Sequence, residues 1–324
     1  MPSGGEFDLI ARYFSRPAPS GMLGVGDDCA LLSPAQGCEL AVSTDMLIEG
    51  RHFFSDTDPG LLGHKALAVN LSDLAAMGAR PLACTLAISL PRIDETWLQA
   101  FADGFHALSR ECRCPLVGGD TTGGSSGVVL SITVMGEVRH HHALRRDAAR
   151  AGDDVWVSGT LGAADIALRL AQGRLPHDPQ RLRAARPFLE RPVPRLKLGR
   201  YLAGVAHAAI DVSDGLLQDL GHILDASQCA AELWLDALPA DPVLDGLDEA
   251  VRRDALLAGG DAYELCFTAH PRRREQIEIL GRQLGLPISR IGAIQRGSGV
   301  RVLDAAGQAL EVAHQGYDHF ADSV

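Results

Sequence analysis

Residues 62–90 read LGHKALAVNLSDLAAMGARPLACTLAISL, a helical pattern followed by a strand pattern. The first part, 62–77, is Ala-rich and predicts a helix stopped by Gly78, a residue suited to the left-handed position after a helix. Residues 81–90 predict a strand buried on at least one face. Working outward, Asp94 opens a second helix whose Trp97, Leu98, Phe101, Phe105 and Leu108 fall on one side. Upstream, 39–43 predict a short strand ending at Thr44-Asp45. Downstream, Leu116-Val117 lead into a glycine-rich loop, and 128–138 alternate like a strand. The alternation of helix and strand gives an α/β (α+β) chain.

Near Arg150 the composition turns basic and polar, with His140-His141-His142 and Arg145-Arg146 just before it. The boundary is placed there, giving domains of 1–149 and 150–324. The second half restarts with the strand 154–158 and a Gly-led helix. An arginine-rich, proline-marked stretch over 181–200 reads as a solvated face. A strand then ends in Ile210-Asp211, and a helix follows with Leu216, Leu217, Leu220, Ile223 and Leu224 on one side. No repeat is evident, but both halves share the mixed rhythm.

Bulk properties narrow the class. The 324 residues are 46% hydrophobic, enough for two domains or one large α/β unit. No apolar run approaches the roughly 20 residues that span a bilayer. The start, MPSGGEFDLIARYF, lacks the basic residues and apolar middle of a signal peptide. A net charge of −11 argues against a general nucleic-acid binder. Seven cysteines without a C-x-x-C pair give neither a zinc ribbon nor a thioredoxin motif, and point to reduced thiols in the cytoplasm. Cys112-Arg113-Cys114 is the one spacing open to a redox pair. Lysine is nearly absent: the chain has only Lys65 and Lys197, and neither sits in a phosphate-binding G-x-x-x-x-G-K-[ST] loop. If phosphates bind, metal ions and arginine must neutralise them.

Five acidic clusters supply the candidate chemistry: Gly26-Asp27-Asp28, Ser43-Thr44-Asp45, Asn70-Leu71-Ser72-Asp73, Gly118-Gly119-Asp120-Thr121-Thr122 and Asp211-Val212-Ser213-Asp214-Gly215. Carboxylates held partly out of water repel one another. If the clusters converge, hard divalent cations with oxygen ligands are the economical partner. Asp73 lies three residues from Asn70, on the helix side shared by Val69, Ala76 and Met77, so it faces inward as a metal ligand or an internal anchor. Paired glycines before Asp120 allow close backbone approach to a phosphate. Asp211 and Asp214 flank a helix start, where Ser213 or Asp214 could alternatively be the cap. Arg146 is a candidate phosphate clamp. The three consecutive histidines read better as a solvated loop than as a metal site.

Taken together, GEFDLIARYF, GVGDDCALL, STDMLIEGRHF, KALAVNLSDLAAMGA, VGGDTT, IDVSDGLLQDLGHI, GGDAYELCF and GYDHF closely resemble the thiamine-monophosphate kinase family. That family lies within the aminoimidazole ribonucleotide synthetase-like superfamily. The resemblance implies transfer of the ATP γ-phosphoryl group to thiamine monophosphate, the last step in making thiamine diphosphate. It implies Mg²⁺ ligands at Asp28, Ser43, Thr44, Asp45, Asp73, Asp120, Asp211 and Asp214. Nucleotide contacts are implied at Gly119, Asp120, Arg146 and Ser213, and substrate contacts at His52, Asp261 and Tyr317. It also implies two mixed α/β domains and a homodimer joined through the N-terminal sheets.

The acceptor is itself a phosphate, whose second pKa of about 6 leaves it largely ionised, so no general base is expected. One departure stands out. The family usually carries Gly-Gly-Glu-Asp-Tyr-Glu-Leu, whereas this chain has Gly259-Gly260-Asp261-Ala262-Tyr263-Glu264-Leu265. The first acid is a methylene shorter and the second is absent, which bears on substrate affinity rather than on phosphoryl transfer. Two other readings are set against this one: another ATP-dependent enzyme of the superfamily, and a non-catalytic nucleotide or thiamine-phosphate binder.

Overall fold

The computed structural model of the chain describes residues 6–25, 29–312 and 316. They fall into two compact units, residues 1–74 with 79–141, and residues 75–78 with 142–324. In the first, α1 (Glu6–Leu9) runs into a π-helical turn over Ile10–Phe14. There follow β1 (Cys38–Ile48), α2 (Pro59–Ala76), β2 (Arg80–Leu90), α3 (Glu95–Cys112), β3 (Leu116–Gly123) and β4 (Val129–Arg139). The sheet order is β1-β4-β2-β3, with β2 and β3 parallel and the other pairs antiparallel.

Alternation sets the two faces of this sheet. Leu130, Ile132 and Val134 of β4 and Leu86 and Ile88 of β2 are buried. The opposite face carries Leu40, Val42 and Met46 of β1, which are 47%, 58% and 55% exposed. Asp94 caps α3 by accepting the N–H groups of Thr96 and Trp97 at 3.1 and 3.0 Å. Leu98, Phe101, Phe105 and Leu108 are buried as the periodicity requires, and Trp97 stacks on Phe101 with centroids 5.2 Å apart. Helices α2 and α3 touch backbone to backbone, since a Cβ on Gly104 would stand 1.9 Å from the Gly60 carbonyl.

Two expected boundaries change. β1 does not end at Thr44-Asp45 but continues to Ile48, because every residue from Cys38 to Ile48 has a partner on β4. The glycine-rich stretch is not a loop: Gly118 to Gly123 lie within β3, in register with β2. Gly119 has φ +156, and a Cβ there would meet the Leu86 carbonyl at 1.9 Å. Glycine is what lets the two strands approach.

The second unit contains β5 (Asp154–Ser158), α4 (Ala163–Ala171), α5 (Pro179–Glu190), α6 (Leu196–Leu202), β6 (Ala208–Asp211), α7 (Leu216–Ser227) and β7 (Ala230–Trp234). It continues with α8 (Glu249–Ala258), β8 (Leu265–Ala269), α9 (Arg274–Leu284), β9 (Ile288–Gln295), β10 (Gly299–Leu303) and β11 (Ala309–Leu310). Seven strands form one sheet, β11-β10-β7-β9-β5-β8-β6, in which only β7 and β10 are parallel. Successive residues feed opposite faces. Val155, Val157, Ile210 and Cys266 join a core with Leu216, Leu220 and Leu256. Trp156, Ala209 and Phe267 join another with Leu198, Leu202 and Ile277. The sheet is therefore covered by helices on both sides.

The arginine-rich stretch is not uniformly solvated. Arg181 reaches Asp178 and the Val243 carbonyl, Arg186 pairs with Glu190, and Arg195 pairs with buried Glu264. Partners distant in sequence draw two of these arginines inward. All seven cysteines are free, and no disulfide joins Cys112 to Cys114. Burial, then the charge of Glu111, pushes the Cys112 thiol up to about 12, so it is unreactive at neutral pH. Among the described residues no helix is long and apolar enough to cross a membrane.

His106, buried on α3, donates Nε2–H to the Tyr13 carbonyl at 2.9 Å. Burial lowers its pKa first, aided by the charges of Arg16 and Arg110. Below about pH 6.5 the unfolded chain takes up a proton that the folded ring refuses, so stability falls as pH falls through that value. His106→Leu removes this response. Urea unfolding at pH 7 and pH 5 should show a larger stability loss in the wild type than in the variant.

Candidate functional site

In the first unit, α2 positions the acids of β1. Asn70 is fully buried; its Oδ1 accepts the Asp45 N–H at 2.9 Å and its Nδ2 donates to the Ala66 carbonyl at 3.0 Å. One turn later, Asp73 Oδ2 accepts the Ser43 hydroxyl at 2.6 Å. The helix thus grips β1 at alternate residues, and Ser43, Asp45 and Asp73 are gathered on its side of the sheet. Val69 and Ala76 share this buried side, but Met77 is 36% exposed because α2 ends before it.

Thr44 points the other way, with Oγ1 2.7 Å from Thr133 Oγ1 across the β1–β4 pair. Asp120 is exposed and lies in register with exposed Ala87, while the next residue, Thr121, is buried. Asp120 and Thr44 therefore belong to the open face and do not join the Ser43–Asp73 group. His52 sits in the turn after β1, where its Nδ1 accepts the Ile48 N–H at 3.0 Å. Buried Lys65 donates to the His52 carbonyl at 3.4 Å, so this rare lysine serves the turn. Asp28 lies outside the described residues. His140, His141 and His142 are each exposed.

In the second unit, β6 ends on Asp211, which is buried, and the chain turns through Ser213, Asp214 and Gly215 into α7. Neither Ser213 nor Asp214 caps the helix: the cap position is Gly215, with no side-chain bond. A residue without an expected role does the work instead. Asp219 Oδ2 accepts the N–H groups of Ser213, Asp214 and Gly215 at 3.0, 3.1 and 3.1 Å. Burial, then the charge of Asp214, pushes the Asp219 carboxyl up to about 7 against the pull of those three donors.

Asp261 joins this group directly, since its N–H donates to the Ser213 carbonyl at 2.8 Å. Tyr317 lies outside the described residues; its neighbour Gly316 sits where a Cβ would be 2.9 Å from the Asp214 carbonyl. Arg146 is elsewhere. It is exposed in a short 3₁₀ turn, Arg146–Ala148, whose Arg146 carbonyl accepts the Ser227 hydroxyl at 2.7 Å. Ser227 is the last residue of α7, so Arg146 and Ser213 mark opposite ends of that helix, about 18 Å apart at 1.5 Å per residue.

The donors at both places are oxygens. Among the described residues, no three His, Cys, Asp or Glu side chains stand close enough to hold a metal by themselves. Burial and then the neighbouring charge of Asp214 raise the Asp219 carboxyl, and hydroxyl and carboxylate oxygens suit a hard divalent ion. On chemistry, the residues present fit Mg²⁺.

Residues 26–138 match the N-terminal domain of AIR synthase related proteins, and residues 150–305 match the C-terminal domain of the same group. The thiamine-monophosphate kinase of Salmonella typhimurium is 44% identical over 326 aligned positions, covering 98% of each chain. The chain belongs to the thiamine-monophosphate kinase family. The crystal structure of the thiamine-monophosphate kinase from Stenotrophomonas maltophilia is 48% identical, with a TM-score of 0.83 over 94% of this chain and 96% of that one. AaThiL complexed with AMPPCP and TMP is 28% identical, with a TM-score of 0.77 over 89% of each chain.

Asp219 gives this family member a testable anchor. Asp219→Ala strands three N–H groups in a buried turn and should cost about 2–3 kcal/mol in urea unfolding at neutral pH. Asp219→Asn keeps one acceptor oxygen and should cost less.

Proposed function

We propose that this chain transfers the γ-phosphoryl group of ATP to the phosphate of thiamine monophosphate, giving thiamine diphosphate and ADP. Family membership over nearly the whole chain carries the reading, and the oxygen-only donor groups of both units support it. Asp28, Ser43, Thr44, Asp45, Asp73, Asp120, Asp211 and Asp214 would hold several Mg²⁺ ions between them, Thr44 and Asp120 from the open face of the first-unit sheet and Ser43, Asp45 and Asp73 from its helix side. When bound, the ions neutralise and align two polyanions. Gly119, Asp120, Arg146 and Ser213 would contact the nucleotide, and His52, Asp261 and Tyr317 the substrate.

The protein's own part is electrostatic positioning. The acceptor oxygen already carries charge at neutral pH, so no side chain need take its proton. Near-absence of lysine leaves neutralisation to metal and to Arg146, whose planar guanidinium suits phosphate oxygens. We place the reaction in the cytoplasm, in keeping with the chain's reduced thiols.

Incubation with ATP, Mg²⁺ and thiamine monophosphate should yield thiamine diphosphate and ADP in equal amounts, and EDTA should stop both. Absence of both products with Mg²⁺ present would favour the non-catalytic binder. Asp45→Asn and Asp120→Asn should each lower kcat by about a hundredfold or more, with far-UV circular dichroism unchanged.

The open face of the first-unit sheet also has a role in this reading. Leu40, Val42, Met46 and Ile48 recur along one side of β1 and are 36–58% exposed. Such a stripe on a regular strand suits self-complementary pairing. We place a second copy of the chain on it, sheet face to sheet face. Sedimentation should give twice the 34.4 kDa chain mass for the wild type and the monomer for Val42→Asp.

A further inference from the structure

The connection from α8 to β8, residues 259–264, contains two non-glycine residues in the left-handed region: Asp261 at φ 59 and Tyr263 at φ 49. Most side chains with a Cβ avoid this region; Asp tolerates it better than most, but a bulky aromatic there is an outlier. Two of them in one short connection persist only where the surroundings over-determine the backbone. Two sets of restraints do so here.

The first is a backbone seam. Asp261 N–H donates to the Ser213 carbonyl, Tyr263 N–H to the Val212 carbonyl, and Val212 N–H to the Glu264 carbonyl, each at 2.8 Å. The second is a side chain with no part in the reaction proposed above. Glu264 is 5% exposed, and its Oε2 accepts the Ser158 hydroxyl at 2.5 Å and Arg195 Nε at 2.7 Å. Arg195 Nη2 bonds the other oxygen, Oε1, completing a bidentate pair. Ser158 Oγ in turn accepts the Leu265 N–H at 2.9 Å. The seat is tight: a Cβ on Gly159 would lie 2.1 Å from Glu264 Oε1. Ser158 ends β5 and Arg195 precedes α6, so the carboxylate is fixed from two elements outside the connection.

We propose that the Arg195–Glu264 pair is a positioning device that sets Asp261 for the thiamine monophosphate contact. This rests on the reading of Asp261 as a substrate residue. Neither Arg195 nor Glu264 touches substrate; they act through Ala262 and Tyr263, the two residues between the clamp and Asp261. A planar fork on a carboxylate fixes orientation as well as distance, which a lysine ammonium does not. Ser213, the other end of the seam, is held separately by Asp219. Loosening the clamp therefore disturbs the substrate contact before the nucleotide contact.

Steady-state kinetics of Arg195→Lys, Glu264→Gln, Asp261→Ala and the double variant Arg195→Lys/Asp261→Ala test this. Arg195→Lys should raise KM for thiamine monophosphate about tenfold, with KM for ATP changed by no more than about twofold. Glu264→Gln should shift it in the same direction, and carries the comparison if the lysine variant does not fold. In the Asp261→Ala background, Arg195→Lys should add less than about a twofold change, because residues acting through one contact are not additive. Equal effects of Arg195→Lys in both backgrounds, or lost thermal stability with KM unchanged, would overturn the positioning role. If Asp261→Ala alone leaves KM unchanged, the substrate reading of Asp261 fails and takes the proposal with it. If Asp261→Ala raises KM while Arg195→Lys and Glu264→Gln do not, only the positioning role fails.

Discussion

A single carboxylate oxygen, Oδ2 of Asp219, gathers three successive backbone N–H groups at the start of α7. Those groups belong to the turn that carries Ser213 and Asp214, and the helix has no side-chain cap to satisfy them. Reaching back from inside the helix, Asp219 frees the Ser213 and Asp214 side chains from capping. The cost is electrostatic. A buried acid beside Asp214 raises its own pKa to about 7, although three donors favour the charged form. A cation at Asp214 would lower that pKa and strengthen the same three bonds. In the proposed function, ion binding and the geometry of the turn would be one equilibrium.

The first unit uses neutral groups to the same end. Asn70 on α2 is buried, and a buried amide must be paired. It is paired with the Asp45 N–H on one side and its own helix on the other. Asn70 is therefore the scaffold that sets β1 against α2, and Asp73, holding the Ser43 hydroxyl, is the acid so placed. The sheet then divides its polar residues by alternation: Ser43 and Asp45 lie toward the helix, Thr44 and Asp120 toward the open face. The same alternation puts Leu40, Val42 and Met46 beside Thr44, so the apolar stripe and the open-face polar residues share a surface.

Local pattern made much of this legible. The helix over 62–77 is found as Pro59–Ala76, the strand over 154–158 as Asp154–Ser158, and the strand ending at Asp211 ends there. What was not legible depends on partners distant in the chain. β1 continues past Asp45 because β4, some ninety positions on, pairs with it throughout. Gly118 to Gly123 look like a loop until β2 supplies the neighbouring strand. Glu264 and Arg195 are 69 residues apart, and nothing in either local stretch reveals the pair. Asp219 lies in the stretch IDVSDGLLQDLGHI, yet its reach back over the turn depends on the cap being Gly215 rather than Ser213 or Asp214.

Where the family usually carries Glu, this chain holds Asp261 at φ 59, a region that Asp tolerates better than most residues because its short side chain can bond locally. The shorter acid therefore suits the strained backbone while giving up a methylene of reach. Ala262 leaves the connection with one carboxylate fewer, next to Asp261, whose N–H bonds the turn that carries Asp214. If Asp261 contacts the substrate as proposed, a single short carboxylate is left for that contact, and its placement falls on the seam to Ser213 and the clamp at Glu264.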